Sequence, residues 1–389
     1  MIPSRINRTI ALWRSELSAV EPYYAVKCNP SPVFLNYLYD KGIHFDCASE
    51  RELLEIKSLA RIDVSKRIVY ANPCKSGRDI AAAARIGSPV TVIDSMEEVE
   101  KLAIHGYTGG ALIRLAVDDK GSDMPFSSKF GAPLSLVEKI AGFAARRGIN
   151  LYGFSFHVGS GCKDGSAYEK AIKQSVSMLP VLHDAKHKDA NIVDIGGGFL
   201  ADEEDFRMKA LCIRSAIHDT DPAIKYIAEP GRFIATDAFD FFVEVIGKKP
   251  GKGHGEWRYT IDDSIYGQFS NILFDQAKPV WSRVRHPNET GPRKYIKGTL
   301  FGRTCDSLDV IAKSDSMEEL QVGDWLRFPK MGAYTRATAS EFNGFPTPEI
   351  FSIEPHLSAL YDDEGSSVQG LEPRYVRYPS AISVKTLLT

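Results

Sequence analysis

YYAVKCNPSPVFLNYLYDKGIHFDCASERELLEIKSLA, residues 23–60, carries the pattern that decides the fold. YYAVKC is a short β-prone run ended by an Asn-Pro breaker. SPVFLNYLYDKG then reads as a helix, HFDCAS as a second strand and ERELLEIKSLA as a second helix. Strand and helix in alternation imply parallel strands joined by right-handed helical crossovers. The first strand also poses a chemical question. Lys27 stands near the end of an apolar run, where partial burial would penalise an ammonium. Either it snorkels out at the strand end, or it is an amine nucleophile that holds a cofactor as a Schiff base.

The unit recurs along the chain. RIVYAN precedes KSGRDIAAAARIG, VTVID precedes SMEEVEKLAIHG, and GALIRLAV precedes APLSLVEKIAGFAARRG. LYGFSFHV leads into SAYEKAIKQSVSMLPVLHDAK, NIVDIGGG leads into EEDFRMKALCIRSAIHD, and YIAEPG closes the series. Ser and Asp at the helix starts are good caps. Eight strands in roughly 215 residues fit a TIM-type (β/α)8 barrel. An open doubly wound sheet is the rival, but it would use fewer strands and place its phosphate loop after the first. After about residue 235 the texture changes to FDFFVEVIGKK, EWRYTIDDS, KYIKGTLFG and DWLRFPKMGAYT, strand-like runs with Gly and Pro turns. The expected division is a barrel over 1–235 and a C-terminal β domain, a sandwich or small barrel, over 236–389.

Composition narrows the function classes. The 389 residues are 43% hydrophobic and 25% charged, with a formal net charge of −2. That is the balance of a soluble globular protein. No basic excess points to nucleic acid, and no polybasic run or long apolar stretch points to a membrane. MIPSRINRTIALWRSEL at the start is punctuated by Arg and lacks the apolar core of a secretory signal. The six Cys show no CxxC and no metal-ligand spacing, so they read as reduced thiols of a cytoplasmic protein. DDEGSSVQG, residues 362–370, reads as a surface loop or tail.

In a TIM-type barrel, functional residues sit at the carboxyl ends of the strands. Taken strand by strand they are Lys27, Asp46, Asn72, Asp94, Arg114, His157, Gly196 to Gly198, and Glu229. The Gly triplet after strand seven lets backbone N–H groups approach an anion, and Gly231 and Arg232 follow strand eight. Phosphate sites of such barrels often lie after these two strands. A lysine, a phosphate site and an acid on one rim suggest pyridoxal phosphate. Lys27 would hold it, His157 could stack on its ring, and Glu229 could keep the pyridine nitrogen protonated, which makes the ring an electron sink.

The motifs YYAVKCN, FDCASERE, RIVYANPCK, SKFGA, GFSFHVGSGC, VDIGGGF, AEPGR, CDSLD and GDWLRFPKMGAYTRATASEFNGF closely resemble those of the eukaryotic-type ornithine decarboxylases, pyridoxal-phosphate-dependent enzymes with an alanine-racemase-like fold. The resemblance runs from about residue 22 to about residue 350. It implies decarboxylation of L-ornithine to putrescine, with Lys27 holding the cofactor and Asp46 and Glu52 supporting the lysine and substrate region. Arg114 would contact the cofactor and His157 would stack on it. Ser160, Gly196, Gly197, Gly198, Gly231, Arg232 and Tyr334 would surround the phosphate, and Glu229 would pair with the pyridine nitrogen. Cys305 would protonate the decarboxylated product from across a homodimer interface. Asp306 and Asp275 would bind the distal substrate amine, with Tyr266 and Phe342 lining that region. Lys129 and Asp309 match a pair that bridges the dimer. An antizyme-like protein regulator is a further implied partner.

Two carboxylates suit a terminal ammonium, a compact hydrated charge with three donors. Asp rather than Glu at 275 favours ornithine over a bulkier or guanidinium substrate. Lysine, one methylene longer, is only weakly discriminated. A related decarboxylase acting on lysine or a modified ornithine is therefore the close alternative. An antizyme-inhibitor-like binding protein is the non-enzymatic one. A racemase of this fold is disfavoured by Glu229, since such racemases place an arginine at the pyridine nitrogen. Three positions depart from the family pattern: Arg303 stands where Pro is usual, Ser307 where Gly is usual, and Phe274 where Tyr is usual. With only about 22 residues before the lysine strand, the family's N-terminal strand is expected to be missing and the β domain to have an open edge.

Overall fold

The computed structural model describes the chain except residues 60–63, 88–89, 119–127, 160, 163–164, 254, 286–291, 354–374 and 377–389. Ser160 and the 362–370 stretch therefore lie outside the described residues. The chain forms two compact units, one of residues 9–234 and one of residues 235–389 together with 1–8. Among the described residues, no helix is long and apolar enough to cross a membrane.

Residues 1–17 fold as helix α1 (Pro3–Glu16), an element the sequence reading passed over. Its signal was there. Ile2, Ile6, Ile10, Trp13 and Leu17 recur at helical spacing, and all five are buried. In the barrel unit, Trp13 is 1% exposed. It packs against Phe199, Phe206 and Phe233 with ring centroids 5.1–5.8 Å apart, and its indole N–H donates to Val20 O at 2.9 Å.

The barrel strands are β1 (Val20–Ala25), β2 (His44–Cys47), β3 (Ile68–Tyr70), β4 (Val90–Ile93), β5 (Gly110–Arg114), β6 (Leu151–Ser155), β7 (Ile192–Asp194) and β8 (Lys225–Ala228). They pair in parallel in chain order, and β1 closes the ring on β8. This is the expected (β/α)8 barrel. Val69, Val92, Leu112 and Ile227 form an apolar cluster of strand residues, backed by Tyr23 and Tyr152. Between the strands run α2 (Pro32–Asp40), α3 (Glu50–Leu59), α4 (Gly77–Ile86), α5 (Met96–Ile104), α6 (Leu134–Arg147), α7 (Gly165–Asp184) and α8 (Glu203–His218). Ser31, Ser76, Ser95 and Asp202 cap their helices by accepting the backbone N–H three residues on, satisfying donors that would otherwise be orphaned. The caps place each turn from strand to helix, and so the rim.

The C-terminal unit begins beyond the short helix α9 (Arg232–Ala235). It holds β9 (Phe241–Pro250), β10 (Glu256–Ile261), the one-turn α10 (Asn271–Phe274), β11 (Ser282–Arg283), β12 (Tyr295–Phe301), β13 (Val310–Glu318) and β14 (Trp325–Phe328). The six strands form one sheet in the order β11-β14-β9-β10-β12-β13, antiparallel except for β10 with β12. Val243, Val245, Tyr259, Leu300, Leu326 and Phe328 are in its core. The edges are guarded. β11 has two residues, and β13 carries Lys313, Asp315 and Glu318, with Asp315 paired to Lys297.

Removing the indole should leave a large hole in the aromatic cluster. Trp13→Ala is expected to lower the unfolding free energy by about 3–5 kcal/mol. Chemical denaturation followed by far-UV circular dichroism would check this, and a loss below about 1 kcal/mol would show that the cluster can collapse.

Candidate active site

All eight rim positions of the barrel lie at the carboxyl ends of their strands. Lys27 is one step further out than expected. It stands on a 3₁₀ turn, Val26–Cys28, that follows β1. Its side chain is 46% exposed rather than buried, and its Nζ lies 2.9 Å from Asp46 Oδ2. Asp46 itself is almost fully buried, and the register of β1 on β2 sets it beside Ala25. The neighbouring turn is knitted by Glu52, whose carboxylate accepts the Ala48 N–H, and by Asn72, whose amide donates to Ala48 O. Burial raises the Glu52 carboxyl above its usual range.

The centre of the rim is acidic. Arg114 ends β5 and lies in the fields of Glu229, Asp94, Asp194 and Asp46. Burial lowers its pKa, and those four acids oppose the shift. His157, two residues beyond β6, accepts the Gly159 N–H on Nδ1 at 2.9 Å. Burial, then Arg114, then Lys27 hold its pKa well below the usual histidine value. The ring is therefore neutral, with its proton on Nε2.

Asp194 was missed by the sequence reading, although it sits inside the quoted VDIGGGF. It ends β7 and is fully buried. Its Oδ1 accepts the Gly196 N–H at 2.9 Å, and its Oδ2 meets no donor. Its neighbour is the Glu229 carboxyl. With Oδ1 taken by Gly196, Oδ2 is satisfied by a proton held between the two carboxyl groups. Burial pushes Asp194 up to about 7 and Glu229 well above the carboxylate range, with the Asp194 charge the next cause for Glu229. A charged residue in a buried parallel strand was the available signal, the same one that singled out Lys27.

The glycine turn after β7 is a close cradle. Gly196 has φ +67°, and a Cβ there would lie 2.3 Å from Phe156 O. Gly198 has φ +101°, and its Cβ would lie 2.4 Å from Gly159 O. Neither position accepts a side chain. Tyr168 on α7 buttresses the turn from behind by donating to Gly197 O at 2.7 Å. Gly231 is buried and Arg232 opens α9. An amine on a carboxylate, a glycine cradle, a neutral imidazole and a protonated carboxyl pair fit pyridoxal phosphate: each of its functional groups finds a chemical counterpart.

The remaining predicted residues belong to the C-terminal unit. Tyr266 donates its hydroxyl to Asp306 Oδ2, and its ring stacks on Phe342 with centroids 4.3 Å apart. Leu308 N–H donates to Asp306 Oδ1 at 2.9 Å. That bond and the tyrosine hold the Asp306 carboxyl below its usual range. Cys305 is exposed, and its N–H donates to Asn343 Oδ1 at 3.1 Å. Tyr266, Cys305, Asp306 and Phe342 thus come together, joined by Asn343, which sequence reasoning did not single out. Asp275 follows α10 and is half-buried. Tyr334 is half-buried with φ +54°. Asp309 is turned inward and accepts from Ile265 and Thr304, while Lys129 lies 4.9 Å over the Phe130 ring.

Comparisons with known proteins agree with this chemistry. Residues 3–236 match the family model of the pyridoxal-dependent decarboxylases, pyridoxal binding domain. Ornithine decarboxylase of Schizosaccharomyces pombe is 40% identical over 364 residues, covering 90% of this chain and 82% of that protein. The crystal structure of the Paramecium bursaria Chlorella virus arginine decarboxylase superposes with a TM-score of 0.84 at 32% identity, covering 90% of this chain and 94% of that one. The lysine/ornithine decarboxylase of Vibrio vulnificus, in complex with cadaverine, gives 0.81 at 30% identity, covering 91% and 93%.

The carboxyl pair makes a signed prediction about pH. Asp194 binds its proton more tightly folded than unfolded, since its pKa rises from 3.8 to about 7. Between those values the folded state holds more protons, so stability of the cofactor-free protein falls as pH rises through the window. Asp194→Asn should flatten that fall, read as Tm at pH 5 and pH 7.5. An unchanged slope would remove the pair from the account.

Proposed function

The chain belongs to the pyridoxal-dependent decarboxylases, and from that we propose that it converts L-ornithine to putrescine and CO2. The observation that carries the choice of substrate is the Tyr266–Asp306–Phe342 cluster. It presents an ionised carboxylate against an aromatic face, a match for a compact terminal ammonium. A guanidinium would want a planar fork of acceptors. Asp275 is the second acid for the same amine. The relatives are ornithine, lysine/ornithine and arginine decarboxylases, and we assign the choice among these substrates to this cluster.

Pyridoxal phosphate, when bound, supplies an electron sink for the pair left on Cα when the carboxylate departs as CO2. The protein residues do the rest. Lys27, set on its turn by Asp46, holds the cofactor. The glycine turn, with Ser160, Gly231 and Arg232, would take the phosphate. His157, neutral, offers a ring face. Glu229 would pair with the pyridine nitrogen and keep it protonated, and the proton it shares with Asp194 spares the buried pair a second negative charge. Arg114 offsets the acids of the rim and contacts the cofactor. Cys305 delivers a proton to Cα in place of the lost carboxylate. Cys305 and Asp306 act on the active site of a second subunit, which makes the working form a homodimer. Its six cysteines are free thiols, which suits the cytoplasm.

Purified protein loaded with the cofactor and offered equal ornithine and lysine should make putrescine in large excess over cadaverine. Neither product would overturn the reading. Lys27→Ala should abolish turnover. Asp306→Asn should raise KM for ornithine by about 30-fold or more, since it removes the partner of a bound charge.

A further inference from the structure

The loop that carries Cys305 and Asp306 is anchored at two ends by different means. At its base, Asp309 is buried. Its Oδ1 accepts the Ile265 N–H at 2.9 Å, and its Oδ2 accepts the Thr304 N–H at 3.0 Å and the Thr304 hydroxyl at 2.5 Å. Gly302 N–H donates to Asp309 O at 2.9 Å and closes the loop. These bonds fix residues 302, 304 and 309. The tip is held from another segment, 342–346. Arg303 lays its guanidinium 4.1 Å over the Phe345 ring and reaches Pro346 O at 3.5 Å. Asn343 accepts the Cys305 N–H. Phe342 stacks on the tyrosine that holds Asp306.

Two features mark these contacts as more than incidental. Asn343 has φ +59°, a left-handed conformation that costs most residues energy and that asparagine tolerates best. That backbone aims its side-chain oxygen at the Cys305 peptide. Arg303, Asp263, Gln268, Phe342 and Phe345 line a small cavity, and the buried Gln268 Nε2 has no hydrogen-bond partner. The 342–346 segment thus borders a cavity on one side, and its contacts with Tyr266, Arg303 and Cys305 hold it in place.

Resting on the ornithine reading above, we propose that Arg303 and Asn343 are positioning residues, a clamp that holds the Cys305–Asp306 tip against the 342–346 segment. The two halves of the clamp act on different steps. Asn343 bonds the peptide of Cys305 itself, so it sets the direction of the thiol and acts on kcat. Arg303 grips the continuation of Phe342, so it sets the face made by Tyr266 and Asp306 and acts on KM. A merely structural pair would not divide the kinetic constants in this way.

The test uses the full chain loaded with pyridoxal phosphate. Arg303→Ala should raise KM for ornithine about tenfold with kcat within about twofold. Asn343→Gly keeps the left-handed backbone at no steric cost and removes only the acceptor. It should lower kcat about tenfold with KM within about twofold, and Asn343→Asp, which restores an acceptor, should recover to within about threefold. A second readout needs no substrate. Iodoacetamide should alkylate Cys305 about fivefold faster in either clamp variant, with Cys305→Ser identifying the signal against that of Cys74. If wild-type protein fails on ornithine, the function reading fails, and the alkylation rates still decide the clamp: faster supports it, unchanged overturns it. Kinetic constants within twofold of wild type in both Arg303→Ala and Asn343→Gly would also overturn it.

Discussion

Strand β1 pairs in parallel with both β2 and β8, and everything at the rim depends on that closure. Ala25 lies opposite Asp46, and Pro22 lies opposite Ala228. Lys27, two residues past the end of β1, therefore meets an acid inside β2, and Glu229 follows directly on β8. A slip of one residue between β1 and β2 would turn Asp46 to the opposite face and break its ion pair with Lys27. Backbone hydrogen bonds thus fix the chemistry before any side chain contributes. The helix caps on Ser31, Ser76, Ser95 and Asp202 act in the same direction, since each sets where a strand ends and a turn begins.

The second constraint is electrostatic. Asp46, Asp94, Asp194 and Glu229 come from the ends of four strands and surround one deep cation, Arg114. In a desolvated setting so many carboxyls cannot all ionise, and the lowest-energy arrangement keeps a proton on the Asp194–Glu229 pair. The same burial that raises Asp194 and Glu229 lowers His157, so the rim presents a neutral imidazole beside a protonated carboxyl pair. Acid and base states are separated by depth and by neighbours, not by residue type.

Much of this was legible in the sequence because it follows local rules. Strand and helix alternate with clear caps, and polar residues interrupt apolar runs at the positions where a barrel exposes them. Lys27, His157 and Glu229 were found that way, and the motif resemblance added Cys305, Asp306 and Tyr266. What escaped was set by contacts distant in sequence. Asp194 reads as an ordinary strand end until Glu229, thirty-five positions later, is brought beside it. Asn343 reads as a turn residue until its side chain is seen on the Cys305 peptide. Lys27 reads as partly buried in a strand, but the chain leaves β1 at Ala25 and lifts the amine on a short turn. In helix α1 the arginines dominate the local pattern, and its apolar face shows only at the spacing of Ile6, Ile10 and Trp13.

Of the four tryptophans in the chain, at 13, 257, 281 and 325, only Trp13 belongs to the barrel unit. It packs edge-on to Phe199, the residue that follows Gly198 in the glycine turn. Phe199 in turn stacks on Tyr168, whose hydroxyl supports the cradle from behind. The barrel unit therefore contains one indole chromophore, two aromatic rings away from the hydroxyl that braces the glycine turn and sealed from solvent. Its emission is a built-in optical gauge of that turn, set apart in sequence from the indoles of the C-terminal unit.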